Sequence, residues 1–154
     1  MQGAAALDTA TYEEIEHDQT ATTQAAVVVA LTAAAQAIGA SGGGRASIFG
    51  AAAAALIGWL VWAGITYLIG DKMFGGTATW GELLRTLGFA QTPNVLAIFA
   101  LVPLVGWLVD AVLFVWVLIA GVIAIRQALD FDTARAILTA VIGWLIFAAL
   151  QVVF

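Results

Sequence analysis

Cysteine is absent from this 154-residue chain. Disulfides, Cys-ligated zinc, iron–sulfur clusters and thiol catalysis are therefore excluded. One histidine and two methionines leave few soft ligands for haem or copper. Charge is also scarce. Five Lys and Arg stand against ten Asp and Glu, a formal net charge of -5. Nucleic-acid binding rests on basic patches, so that class of partner is excluded. The first 20 residues hold no Lys or Arg and no apolar stretch, so no cleavable secretory signal is expected. Gly42-Gly43-Gly44 is not followed by Lys-Ser/Thr and is no phosphate loop.

What is present is apolar surface. Hydrophobic residues make up 63% of the chain and charged residues 10%, where soluble domains hold about 45–50% and about 25%. A sphere of this size in water cannot hide that much apolar surface. The chain reads as an all-α, polytopic membrane helix bundle, with about five transmembrane helices and short interfacial helices.

Two regions follow. Residues 1–19 are polar and form an N-terminal amphipathic, interfacial segment. Thr11 through Glu14 fits a capping box, and Tyr12, Ile15 and Gln19 share one helical face. Asp18 or Thr20 can cap the next helix. Residues 20–154 form the membrane domain, with spans at about 20–40, 48–69, 93–103, 106–126 and 133–154. An interfacial helix is expected at about 79–91, where Trp80, Leu83, Leu84 and Leu87 fall on one face. Thr92-Pro93 supplies an N-cap followed by proline at the first helical position. The turn between spans three and four is placed at Pro103 to Gly106; a single long helix kinked at Pro103 is the rival. Asp130 and Asp132 can cap the last helix.

Small residues mark a packing face. Gly50, Ala54 and Gly58 recur every four residues on span two, and Ala26, Ala30 and Ala34 do so on span one. Such spacing lets two backbones approach closely in lipid, so a tight hairpin is expected. Lys72, Arg85, Arg126 and Arg135 fall on one side of a five-span chain and Arg45 alone on the other. The positive-inside bias then puts the N-terminus in the cytoplasm and the C-terminus outside.

Several pieces together resemble the Yip-domain family, the Ypt-interacting five-span membrane proteins, in its compact bacterial form. They are the Tyr12-to-Asp18 opening, Leu87-Gly88-Phe89-Ala90 leading to Pro93, and Pro103-x-x-Gly106. Trp116, Gly121 and the Asp130-Phe131-Asp132-Thr133 connection to Ala136 complete the set. The resemblance implies five helices, a cytosolic N-terminus and a C-terminus on the far side, and a bacterial cytoplasmic membrane is the expected location. Eukaryotic members are associated with Rab-type GTPases and membrane shaping; the resemblance is carried to the fold and not to a GTPase. It implies no catalytic residue.

Candidate sites are few. Glu14-x-x-His17 has the one-turn spacing of di-iron bundles, but those need a second such motif and further carboxylates. No metal or cofactor is expected. Asp110 is the only acidic residue inside an apolar stretch, and such a residue is a functional-site hypothesis by default. It reads as solvated near the outer surface, as an ion pair with Arg45, or as part of a proton or ion pathway. The packing residues singled out are thus Asp110, Arg45, Gly50, Ala54, Gly58, Pro93 and Pro103. The sequence favours a non-enzymatic protein that works through helix–helix contacts in the bilayer, as scaffold, membrane organiser or accessory subunit of a larger membrane complex. The alternative is a small transporter or channel, which would need a polar stripe where only Thr32, Gln36, Thr66 and Thr139 are scattered.

Overall fold

The structure, a computed structural model, describes residues 1–41, 45–102 and 104–153, with side chains except at 41, 45–47 and 151–153. Helices α1 (Gln2–Ala5) and α2 (Thr9–His17) precede the long helix α3 (Ala21–Ser41). Helix α4 (Arg45–Tyr67) continues into a π-helical turn over Leu68–Met73. After α5 (Trp80–Ala90) the chain winds as a 3-10 helix over Thr92–Leu101, then forms α6 (Gly106–Ala128) and α7 (Thr133–Val153). The described residues are helical apart from turns and short irregular connections such as 75–79, with no strand among them. Four stretches are long and apolar enough to cross a membrane: Ala21–Ala40, Ile48–Met73, Gly106–Ala128 and Thr133–Leu150.

Local chemistry sets the helix ends. Thr79 and Glu82 make a reciprocal capping box at α5: the Glu82 N–H donates to Thr79 Oγ1, and the Thr79 N–H donates to Glu82 Oε2 at 2.7 Å. The α2 cap differs from the expected one. Asp8, not Thr11, is the N-cap, and its carboxylate accepts from the Ala10 N–H and the Thr11 hydroxyl. Asp8 precedes the first helical residue, where an N-cap carboxylate accepts from the free N–H groups of the first turn. Asp130 and Asp132 also part company. Asp132 accepts from the Arg135 N–H and caps α7. Asp130 instead terminates α6: it sits at φ 53°, its N–H donates to Gln127 O, and the Phe131 N–H donates to Arg126 O. That is the Schellman pattern, with aspartate at the left-handed position usually held by glycine.

Helix α5 is the centre of the bundle. It touches α1, α2, α3, α4 and α6, and residues 83–90 are buried without exception. An interfacial helix would leave one face to lipid or water, so the expectation of a surface helix at 79–91 is replaced by a central one. The stripe Trp80, Leu83, Leu84, Leu87 marks only part of the buried surface, and Trp80 alone stays exposed. The short span expected at 93–103 is also different in kind. Thr92–Leu101 is 3-10 helix, with Pro93 buried in its first turn. Gln91 takes the N-cap position without a side-chain cap, and the Thr92 hydroxyl bonds back to Phe89 O.

Helices α3 and α4 do pack together, but not through the expected stripe. A Cβ on Gly50 would meet nothing within 4 Å, Ala54 is exposed, and one on Gly58 would meet only Phe147 of α7, at 3.6 Å. This stripe does not face α3. Instead α3 packs most extensively on the 3-10 helix. There a Cβ on Gly39 would stand 2.1 Å from the Ala97 carbonyl oxygen. Lower on the same helix, Ala25 lies against Gly88 of α5, where an added Cβ would come within 2.7 Å. Glycine is therefore needed at positions 39 and 88 for want of room. The spacing of small residues on α4 signalled tight packing, but a glycine stripe looks the same whether it meets a helix or lipid.

Candidate functional site

The polar end of the bundle is built from four elements. Helix α2 brings Glu13, Glu16 and His17; the end of α6 brings Arg126 and Gln127; the connection to α7 brings Asp130 and Phe131. These residues line a polar cleft of about 440 Å³. From the loop before α5, the Thr77 hydroxyl donates to Asp130 Oδ2 at 2.8 Å and ties that connection to the loop after α4.

Arg85 is the residue that sequence reasoning missed. It was counted only as a cytoplasmic positive charge, yet it is 6% exposed, in the middle of α5. Its Nε donates to the carbonyl oxygens of Ile15 at 3.2 Å and Glu16 at 3.0 Å. A second guanidinium nitrogen also donates to Glu16 O, and a third lies 3.4 Å from Thr22 Oγ1. The last carbonyls of a helix have no intrahelical donor and sit at the negative end of its dipole. A planar guanidinium with five donors meets both needs at once. Arg85 thus fastens the C-terminal end of α2 to the central helix. The available signal was an arginine enclosed by Leu83, Leu84 and Leu87 on a helix with few other charges.

The rest of the N-terminal segment is held by the same kind of contact. Tyr12 Oη donates to Ala4 O at 3.2 Å, and Trp116 Nε1 of α6 donates to Ala5 O at 2.8 Å. Tyr12 and Ile15 are buried in the main core, while Gln19 is exposed. The apolar face of α2 therefore rests on α5 and α6 and not on lipid. Burial raises the Tyr12 hydroxyl well above its ordinary range. Inside the bundle, Trp59 Nε1 of α4 donates to Leu84 O at 3.0 Å, and Trp62 meets Phe147 edge-on. Trp59 thus ties α4 to α5 through a backbone carbonyl, and Trp62 packs α4 against α7.

Electrostatics single out Glu16. Its carboxyl is pushed up to about 7, first by burial and then by the nearby carboxylates Glu82, Asp130 and Glu13, with His17 acting in the opposite sense. His17 is raised in turn, because Nδ1 lies 2.8 Å from the Glu13 carbonyl oxygen and Glu16 is close. Asp18 is lowered by the Thr20 hydroxyl and N–H, both of which donate to Oδ1.

The sequence-derived candidates do not converge here. Asp110 is exposed near the start of α6 and has no hydrogen-bond or ion-pair partner among the described residues. Its proposed partner Arg45 has its side chain outside the described residues, and so does Pro103 entirely. Among the described residues no group of three or more His, Asp and Glu could hold a metal ion. Glu14 and His17 accordingly line an open, exposed surface. Two hydroxyls, Thr66 on α4 and Thr139 on α7, are fully buried without a hydrogen-bond partner.

No curated protein and no solved structure matches the chain. A model of the Yip1 domain matches residues 9–154. The match begins at the first residue of α2 and takes in the Arg85 fastening, the central helix and every later element. This apolar helical membrane protein belongs to the Yip1 domain family.

Proposed function

We propose that the chain is a non-enzymatic integral membrane protein that acts through helix–helix contacts, as a scaffold, membrane organiser or accessory subunit of a larger membrane complex. The observation that carries this reading is how the polar groups are used. Arg85, Trp59, Trp116 and Tyr12 are each spent on a backbone carbonyl inside the fold. Large apolar side chains are turned outward instead: Phe114, Val115 and Leu118 on α6, and Trp144 and Leu145 on α7. Among the described residues the walls of the polar cleft carry no serine, threonine or cysteine, and the Thr77 hydroxyl that bonds to Asp130 ties two loops together. A transporter or channel is the second reading. The unpartnered hydroxyls of Thr66 and Thr139 favour it, since polar groups inside a bundle mark solute paths.

The test is photo-crosslinking in native membranes, with the reactive residue at Phe114 or Trp144. We expect discrete crosslinked protein bands at one of the two faces. Lipid adducts alone at both would remove the contact reading.

We also propose five crossings, with α5 and the 3-10 helix together forming the third. Eleven residues of α-helix rise ~16 Å and ten of 3-10 helix ~20 Å, enough for a ~30 Å hydrocarbon core. The Thr77–Asp130 hydrogen bond and the shared cleft of His17 and Asp130 support this reading. On this reading the α6–α7 connection lies at the end where α2 and the α4–α5 loop lie, and a crossing falls between residues 79 and 106. The N-terminus is then cytoplasmic and the C-terminus on the outer side of what we take to be a bacterial cytoplasmic membrane. The residues that turn at the outer end include Leu104, 93% exposed at φ 69°. With no native cysteine, Leu104→Cys should react with an impermeant maleimide on intact cells, and Thr133→Cys only after lysis. Labelling of Thr133→Cys alone on intact cells would instead mean four crossings or the opposite orientation, and would remove this reading.

A further inference from the structure

We propose that the N-terminal segment formed by α1 and α2 is a pH-responsive strap, docked on α5 and α6 in acid and released as the medium becomes alkaline, with Glu16 as the responding group. Three observations place the device. The strap leads into α3 through the short Asp18–Thr20 turn, where the Thr20 N–H and hydroxyl donate to Asp18 Oδ1. It buries few large side chains, chiefly Tyr12 and Ile15. Its remaining attachments are the Trp116 bond to Ala5 O and the Arg85 guanidinium, which donates to Ile15 O and Glu16 O, while the Tyr12 bond to Ala4 O joins α2 to α1 within the strap. Docking is therefore held by a small number of contacts, and one unfavourable charge can tip it.

Glu16 supplies that charge. It is partly buried at the cleft, and its carboxylate has no hydrogen-bond or ion-pair partner among the described residues. The groups facing it come from every element packed against α2. On α2 itself are Glu13 and His17; on α5, Glu82 and Arg85; at the end of α6, Arg126; in the following connection, Asp130. Three of these are carboxylates that oppose ionisation of Glu16. Arg85 is already committed to the main-chain carbonyls of Ile15 and Glu16. Arg126 is exposed and forms no ion pair among the described residues. Burial and these neighbours raise the Glu16 carboxyl from its ordinary 4.5 to about 7.

A group raised in the docked state favours docking fully below its free value, and that contribution is lost as pH rises through the docked value. The window is thus about pH 4.5 to 7. His17 adds little to this difference, because the Glu13 carbonyl and the Glu16 carboxylate that chiefly raise it lie on α2 itself and stay with it on release. Release would uncover the α5–α6 groove that Tyr12 and Ile15 fill, close to the cytoplasmic end on the five-crossing reading.

Distance measurement between two nitroxides tests this on the full chain in nanodiscs. The labels go at Ala10→Cys, on the outer face of α2, and at Ala134→Cys, at the start of α7; both positions are exposed. We expect one narrow distance at pH 5. At pH 8 a second, broad population should appear, with the released-to-docked ratio raised roughly tenfold or more. In the Glu16→Gln background the narrow distance should persist at both pH values. An unchanged distribution in the native background overturns the proposal, and so does a pH response that survives Glu16→Gln or a broad distribution for that variant at pH 5.

Discussion

Arg85→Leu is expected to free α2 from the bundle while leaving the long helices in place. The substitution removes the donors that serve Ile15 O, Glu16 O and Thr22 Oγ1. Hydrogen bonds to a charged group contribute about 1.5–3 kcal/mol each, and buried acceptors left without a donor add their own desolvation cost. These bonds share one side chain and are not additive, so a loss of about 3 kcal/mol is a fair expectation. Leucine fits the apolar surroundings of Leu83, Leu84 and Leu87, which keeps the core of α5 intact. Hydrogen exchange in detergent or nanodiscs reads the effect locally. Amides of Thr9–His17 should exchange about a hundredfold faster, at 1.36 kcal/mol per factor of ten, while those of α6 keep their protection. Arg85→Lys should fall between, since an ammonium keeps the charge but loses the planar fork. Uniform loss of protection through all helices would instead mean that Arg85 organises the whole bundle.

Gly39→Val should be the most damaging single change in the apolar helices. The new Cβ would lie 2.1 Å from the Ala97 carbonyl oxygen and 3.0 Å from its carbon. Both are backbone atoms, so no rotamer change relieves the clash. Overpacking costs about 1–3 kcal/mol where side chains can shift, and a backbone obstacle puts this case at the upper end. Gly50→Val is the control. Nothing lies within 4 Å of its Cβ, and valine has somewhat better helix propensity than glycine. Thermal unfolding in detergent should therefore show a large fall for Gly39→Val and little change for Gly50→Val. Equal effects would contradict the packing of α3 on the 3-10 helix.

The contrast between those two glycines shows what the sequence could and could not convey. Long apolar runs announce α3, α4, α6 and α7, because lipid selects for apolarity all round a helix. That same uniformity hides which side meets a neighbour. Gly50, Ala54 and Gly58 form a regular stripe and Gly39 stands alone, yet only Gly39 is pressed against another backbone. The central position of α5 was concealed for the opposite reason. Eleven residues with Glu82, Arg85 and Thr86 among them look amphipathic, and the burial of Arg85 depends on carbonyls 69 and 70 positions away. The polar cleft has the same origin. Glu16, Arg126 and Asp130 are scattered along the chain, and only the return of α6 to the level of α2 brings them together. The capping box at Thr79 and Glu82 has the same local spacing as Thr11 and Glu14, yet only the Thr79 pair forms the cap.

The 3-10 helix over Thr92–Leu101 has a mechanical consequence. Ten residues wound this way reach ~20 Å, where an α-helix reaches ~15 Å. On the five-crossing reading this segment works as a length adjuster. Rewinding it as α-helix would shorten the third crossing by ~5 Å without inserting or deleting a residue. Bilayers differ in thickness by a few ångströms, and a span that is too long or too short is penalised for each ångström of mismatch. A segment able to trade pitch for reach would let one chain match its crossing to a thinner or a thicker membrane.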